Sequence, residues 1–265
     1  MRPLQILNIM RFVFYSWQKR SFCKLLLVLC YEKLKIFYQI NLELMIPETD
    51  FSIRPFMGGY DKNFTYLITC IHTVSTVLID AAIPINQIMP LISIPPSALL
   101  ITHTHSDHIR YLNDYIASFP DMIVYGHSES TSMYKIKNFR IIKHQQKLKL
   151  GRLPFTSIYT PGHYFDSICY LLNPTLFTGD TLFVGRTGRV ISQRSNIKEL
   201  FNSVYKRLLI LSKDLRIYPG HDYGKQPSIK IKNNINISPL LRAKNLKDFI
   251  KRMEEYELNR TLDNL

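Results

Sequence analysis

Acidic residues are scarce in this 265-residue chain: 20 Asp and Glu stand against 34 Lys and Arg, a formal net charge of +14. Such a balance fits anionic ligands, but lysines spread over solvated faces give the same charge, and no nucleic-acid partner is expected from it. Cysteine is equally sparse. Cys23, Cys30, Cys70 and Cys169 are scattered, with no CxxC pair and no zinc-ribbon spacing, which points to a reduced compartment, the cytoplasm. Cys169, inside "SICYLL", reads as a small core residue on a strand, and none of the four is a candidate nucleophile. Long apolar runs are missing too. "LLLVLCY" (25–31) falls far short of the roughly 20 residues a bilayer span needs, and no small-residue cleavage site follows it, so no transmembrane segment or secretory signal is expected. There is no repeat at 20–50 residues and no low-complexity linker after Phe51. What is present, 46% hydrophobic residues, suffices for a large core.

Residues 1–44 differ from the rest, with seven Lys and Arg against two Glu. Three readings are open for this basic extension: an organelle-targeting segment, an amphipathic membrane-surface helix, or a mis-called start with Met45 as the true one. The third is favoured, because an ordinary domain opening follows and leaves one domain over 45–265. From Phe51 onwards, short β-type runs alternate with turn residues: "FSIRPF", "NFTYLITC" and "VSTVLID", with "GGYDKN" between the first two. A helix is expected near 84–91, a strand at "ALLITH" (98–103), a helix over 106–119 from the spacing of Ile109, Leu112, Ile116 and Phe119, and a strand at "MIVYG". "KLKL", "LPFTSIYT", "SICYLL" and "TLFTGD" form a second set of strands, followed by a helix over 197–211, the strand "LRIYPGH", and a last helix over 242–258. Two sheets with helices outside are expected.

The chemistry concentrates in "ITHTHSDHI" (101–109). At i and i+2 of an extended segment, His103 and His105 point the same way and can reach one ion. Asp107 and His108 open the next element, where the turning chain aims them at a second point a few ångströms off. That suits two adjacent metal positions better than one. Three more ligand-type residues sit at strand ends after glycine: His163 in "YTPGHYFDS", Asp180 in "LFTGDTLF" and His221 in "IYPGHDYG". A single such residue is an ordinary turn; the repeated pattern of strand, small turn and ligand is how a rigid sheet edge presents a site.

This set, HxHxDH with His163, Asp180 and His221, resembles the metallo-β-lactamase superfamily. "FTGDTLFVGRTGR" and "YPGHDYG" are similar to glyoxalase II (hydroxyacylglutathione hydrolase) and its shorter single-domain relatives, over roughly 51–241. The resemblance implies an α+β fold, an αββα sandwich of two mixed sheets with helices outside. It implies His103, His105 and His163 around a first metal, Asp107, His108 and His221 around a second, and Asp180 bridging. Nitrogen and oxygen donors suit zinc, with iron or manganese as alternatives. Two divalent ions can hold a hydroxide at neutral pH that attacks an acyl carbonyl, with Asp107 fixing the nucleophile. The expected activity is hydrolysis of a small anionic thioester such as an S-acylglutathione. By the same resemblance, Arg189 and Tyr223 match positions that contact glutathione. Asp222 and Thr104 are candidates for orienting the imidazoles from behind. Two departures stand out: Ile191 occupies the place of a second substrate-binding tyrosine, and the 44 residues after His221 would leave the glyoxalase II helical domain incomplete. The alternative is a persulfide dioxygenase of the same fold, with one Fe(II) on His103, His163 and Asp180; an RNA-processing nuclease is a lesser one.

Overall fold

The computed structural model describes residues 49–59 and 61–262; residues 1–44, for which the three readings were given, lie outside the described residues. Two six-stranded sheets are formed. The first holds β1 (Phe51–Gly58), β2 (Asn63–Cys70), β3 (Thr76–Ile79), β4 (Ala98–Leu100), β5 (Ile123–Gly126) and β6 (Phe139–Ile141), in that spatial order. The second holds β7 (Lys147–Leu150), β8 (Leu153–Tyr159), β9 (Ile168–Leu172), β10 (Thr175–Gly179), β11 (Arg216–Pro219) and β12 (Ile229–Lys230). Both sheets are mixed: β3 to β6 are parallel to one another, as are β10 and β11, while the remaining neighbours are antiparallel.

Period-two alternation places the layers. Tyr66, Ile68, Val77, Ile79, Ala98 and Leu100 face Phe155, Ile168, Tyr170 and Phe177 of the second sheet, forming the central core. The intervening Leu67, Leu78 and Leu99 face outward and are covered by Leu112, Tyr115 and Phe119 on and just after helix α2 (Leu112–Ser118), with Ile88 of α1 (Ile85–Ile88) beside them. The outer face of the second sheet, with Cys169, Leu176 and Ile217, is covered by Leu200, Val204 and Leu208 of α3 (Ile197–Ser203) and its π-helical continuation (Val204–Leu208). Phe249 and Met253 of α5 (Leu246–Leu262) complete that layer; α4 (Ile231–Ile237) contributes Ile231. Each fully buried large side chain is worth about 1.5–3 kcal/mol relative to exposure, so the three apolar layers account for the αββα order. Cys169 sits in this outer layer on β9, fully buried.

Local structure departs from expectation in four places. The strand at 98–103 ends at Leu100, and the helix expected from 106 starts at Leu112. Its first residues turn instead, because the His108 carbonyl accepts from Ala81 N (2.8 Å) and Tyr111 N donates to the Ala81 carbonyl (2.9 Å), committing that backbone to the end of β3. The short β6, β12 and α4 carry no strong pattern in the sequence. The last helix starts at Leu246, since Pro239–Arg242 forms a separate 3-10 turn.

Strand direction fixes the site. β8, β10 and β11 run the same way, as do β3 and β4, so the chain leaves them along one edge of the sandwich. Two buried phenols brace that edge across the core: Tyr66 Oη donates to the Pro219 carbonyl (2.6 Å) and Tyr170 Oη to the Ile101 carbonyl (2.7 Å). Gly162 is needed where β8 gives way to the site. Its φ is +135°, and a Cβ there would lie 2.1 Å from Leu200 N at the start of α3. Gly162→Ala is therefore expected to lower stability by about 3 kcal/mol. Denaturant unfolding measures this, and an unchanged midpoint would show that the α3 contact is slack.

Candidate metal centre

Seven donor residues arrive at the edge from both sheets. His103 and His105 follow β4, Asp107 and His108 lie in the turn tied to β3, His163 follows β8, Asp180 follows β10 and His221 follows β11. His103, His108, Asp180 and His221 are buried, whereas His105, Asp107 and His163 are partly exposed. Potential ligand atoms of His103, His105 and His163 lie within 4.8 Å of one another, and those of Asp107, His108 and His221 do likewise. In the first group His103 Nε2 is 2.8 Å and His163 Nε2 3.1 Å from His105 Nδ1. In the second, His108 Nε2 and His221 Nε2 are 3.2 Å apart, with Asp107 Oδ2 3.4 Å from His221 Nε2. Asp180 stands between the groups: Oδ2 is 3.4 Å from His163 Nε2 and 3.3 Å from His221 Nε2, and Oδ1 is 3.2 Å from His108 Nε2.

The outer ring nitrogens reveal what the inner ones can do. His163 Nδ1–H donates to the Arg189 carbonyl (2.9 Å) and His221 Nδ1–H to the Asp61 carbonyl (2.8 Å). A carbonyl can only accept, so each Nδ1 carries a proton and Nε2 is the nitrogen left facing inward, its lone pair available once a cation takes the place of a second proton. His108 Nδ1 faces Asp80 Oδ2 (2.8 Å) in the same way, and Thr102 Oγ1 lies 3.2 Å from His103 Nδ1. Lone pairs converging at about 3 Å repel unless a cation lies among them, and fixing the far nitrogen is how proteins orient imidazole ligands. Asp180 Oδ1 is buried with no suitably oriented hydrogen-bond donor. The residues present therefore fit a pair of divalent cations.

Electrostatics divides the cluster. Burial, followed by the neighbouring His108 charge, pushes His103 down, and burial with the nearby His163 pushes His105 down to about 4. Burial also lowers His163. These three stay neutral and offer lone pairs. On the other side burial opposes charge as well, but Asp180 and then Asp80 outweigh it at His108, and Asp180 and Asp107 bring His221 up to about 10. Burial would raise Asp180 and Asp107, yet the imidazoles hold both well below the usual carboxylate range.

Several residues that serve the site gave no signal in the sequence. Asp80, at φ +58°, accepts from Thr102 N, Thr102 Oγ1 (both 2.8 Å) and His108, so one buried carboxylate orders both histidine segments. It follows an apolar strand, as several of the candidate donors do, and a left-handed backbone at a non-glycine residue often marks a functional position. Asn63 Nδ2 donates to Asp107 Oδ2 (2.8 Å). Buried Asp166 accepts from Thr104 Oγ1 (2.6 Å) and Ser130 Oγ (2.8 Å). Of the two residues expected behind the imidazoles, Thr104 is thus bonded to Asp166, and Asp222 uses its backbone N–H on the Lys62 carbonyl (2.9 Å). Neither touches an imidazole through these bonds.

A cavity of about 640 Å³ opens over the centre, lined by His105, Asp107, His163, Asp180, Arg186, Arg189, Ile191, Tyr223 and Tyr256 among others. Gly188 lets its floor loop lie close, since a Cβ there would come within 2.0 Å of the Asp180 carbonyl. Arg189 does reach this cavity, but its guanidinium pairs with Glu257 of α5 through Nη2–Oε2 (2.6 Å) and Nε–Oε1 (2.9 Å). The Tyr223 ring stacks on His221 at 4.8 Å, and its hydroxyl donates to Asp61. Ile191 is exposed at the rim.

The model of the metallo-β-lactamase superfamily matches residues 58–221. The chain belongs to this superfamily. A probable hydroxyacylglutathione hydrolase of Schizosaccharomyces pombe is 32% identical over 208 residues, 74% of this chain and 77% of that protein. A probable polyketide biosynthesis zinc-dependent hydrolase of Bacillus subtilis is 26% identical over 189 residues, 69% of this chain and 84% of that protein. Among solved structures, ETHE1 from Myxococcus xanthus superposes with a TM-score of 0.69 at 29% identity, covering 77% of this chain and 90% of its own. TTHA1623, crystallised in a di-iron-bound form, gives 0.61 at 26% identity, covering 71% and 100%. The superfamily's fold is the two-sheet α+β sandwich described above.

Within this superfamily member, Asp80→Asn keeps the side chain's shape but removes the charge facing His108. Metal affinity at the centre is expected to fall about 10–100-fold, measured by competition with a chromophoric chelator. Unchanged affinity would mean that Asp80 serves the fold alone.

Proposed function

We propose that the chain is a dinuclear metal-dependent hydrolase of thioesters. In this reading His103, His105 and His163 hold one ion, Asp107, His108 and His221 the other, and Asp180 is shared. Zinc is the assigned metal, on the mixed imidazole and carboxylate donors. The observation that carries the reading is the second donor group: potential ligand atoms of Asp107, His108 and His221, like those of the first three, lie within 4.8 Å of one another, and Asp180 lies within 3.4 Å of imidazoles from both sides. When bound, two such ions supply an acidified water and polarise an acyl carbonyl.

The chain's own residues do the rest. Asp107, half-buried and ionised, is pinned by Asn63 with its carboxylate open to the cavity, so it can orient the attacking water. Asp180 keeps negative charge between the donor groups. The partly exposed His105 and His163 border the cavity and leave the carbonyl a path to the centre. The cavity's volume suits a small substrate, and a thiolate is a good leaving group that needs no protonation. An S-acylglutathione or related anionic thioester is the substrate class, supported by similarity to proteins named hydroxyacylglutathione hydrolases. The free, buried Cys70 and Cys169 suit a reduced compartment such as the cytoplasm, and no described helix is long and apolar enough to cross a membrane.

A second reading rests on a subset of the same residues. His103, His163 and Asp180 alone make a two-histidine, one-carboxylate set of the kind that binds Fe(II) in oxygenases, which is the persulfide dioxygenase alternative. Metal analysis of the purified chain, paired with S-lactoylglutathione hydrolysis and oxygen uptake on glutathione persulfide, separates the two. About two metals per chain with hydrolysis is expected; one iron with oxygen uptake and no hydrolysis would overturn the proposal. Asp107→Ala should lower hydrolytic kcat by about 10²-fold or more, whereas a mononuclear dioxygenase would tolerate it far better.

A further inference from the structure

Arg189 and Arg186 stand three positions apart on the loop that floors the cavity, and their surroundings differ. Arg189 forms a bidentate pair with Glu257, which neutralises its charge and ties the loop to α5. An incoming anion would have to compete with a carboxylate already in place. Tyr223 is occupied as well, its hydroxyl given to Asp61. Arg186 has no carboxylate within ion-pair distance among the described residues. Its guanidinium lies 4.5 Å over the Tyr223 ring, one terminal nitrogen donates to the Tyr223 carbonyl (3.0 Å) and the other to Tyr256 Oη. These contacts hold the planar fork in one orientation while consuming two of its five N–H groups. It lines the cavity beside Asp180 and His221, and the Tyr223 ring on which it rests stacks in turn on His221.

We infer that Arg186, rather than Arg189, receives the anionic group of the substrate's thiol carrier, and that Arg189 with Glu257 is a strut holding the loop against α5. The ligand chemistry is an oxyanion, carboxylate or phosphate, presented by a small thiol. A preorganised, stacked guanidinium favours such a group because little side-chain freedom is lost on binding. The identity of the carrier as a thiol rests on the thioester reading; the anion subsite does not.

The test uses thioethers, which cannot be hydrolysed, on the full metal-loaded chain: S-methylglutathione for carboxylates, S-methyl coenzyme A for phosphates, and neutral N-acetyl-S-methylcysteamine. Calorimetric titration is expected to show at least one anionic probe binding more tightly than the neutral one, and which of the two does so identifies the anion. Arg186→Gln should weaken that probe about tenfold or more and abolish the preference. Arg186→Lys, keeping the charge, should recover part of it. Glu257→Gln, which releases Arg189, should alter affinity less than about threefold while lowering the melting temperature. The inference falls if the unmodified protein shows no preference for either anionic probe. It falls equally if Arg186→Gln changes affinity less than about threefold, if the Lys and Gln variants lose equally, or if Glu257→Gln tightens binding, since Arg189 would then be the masked receiver. Thioester turnover is read separately: Arg186-dependent binding without hydrolysis would sink the proposed function and leave the subsite standing.

Discussion

A buried carboxylate among three imidazoles is the constraint around which this protein is arranged. Asp180 is removed from water at the end of β10, and an isolated anion there would be costly. Positive charge must lie beside it: His108 and His221 carry raised affinity for a proton, and His163 turns a third ring nitrogen toward the same carboxylate. For those rings to converge, β8, β10 and β11 must run in one direction and the turn after β4 must fold back on β3. The parallel pairing inside otherwise antiparallel sheets, and the glycines where strands meet the site, follow from that requirement.

Behind the converging atoms stands a ring of groups that never meet a ligand. The carbonyls of Asp61 and Arg189 and the carboxylate of Asp80 fix which nitrogen of each histidine is protonated. Asp166 does comparable work for the segment between His103 and His105 by gripping Thr104. Much of the tuning therefore comes from backbone, whose carbonyls are placed by the fold itself, so the site's geometry and the sandwich's stability are difficult to vary independently.

How far the sequence disclosed this can be read from particular residues. The candidate donors were legible because His163, Asp180 and His221 each follow a strand-end glycine and the other four crowd into one short segment, patterns local enough to see in ten residues. The αββα order was legible from the two groups of strands and the family resemblance together. What stayed hidden depends on distant pairing. Arg189 meets Glu257 across 68 positions, and nothing near "GRTGR" announces that its charge is matched. Asn63 reaches Asp107 across 44. The helix expected from Ser106 failed because its first backbone groups are claimed by Ala81, a tertiary bond that helical spacing cannot foresee. The short β6 and β12 owe their extended form to neighbouring strands rather than to their own composition.

The donor set is drawn from both sheets, and His103 and His221 are separated by more than a hundred residues. In the proposed dinuclear reading, cations shared across that edge would act as a clasp closing very long loops, where the entropy removed from the unfolded chain is large. Loading and folding would then be linked by mass action: the open edge of the sandwich would be held in part by the same ions that serve chemistry there. In a metal-poor environment the molecule would loosen first at the active edge, so that loss of catalysis and exposure of the sheet ends to proteolysis would arrive together.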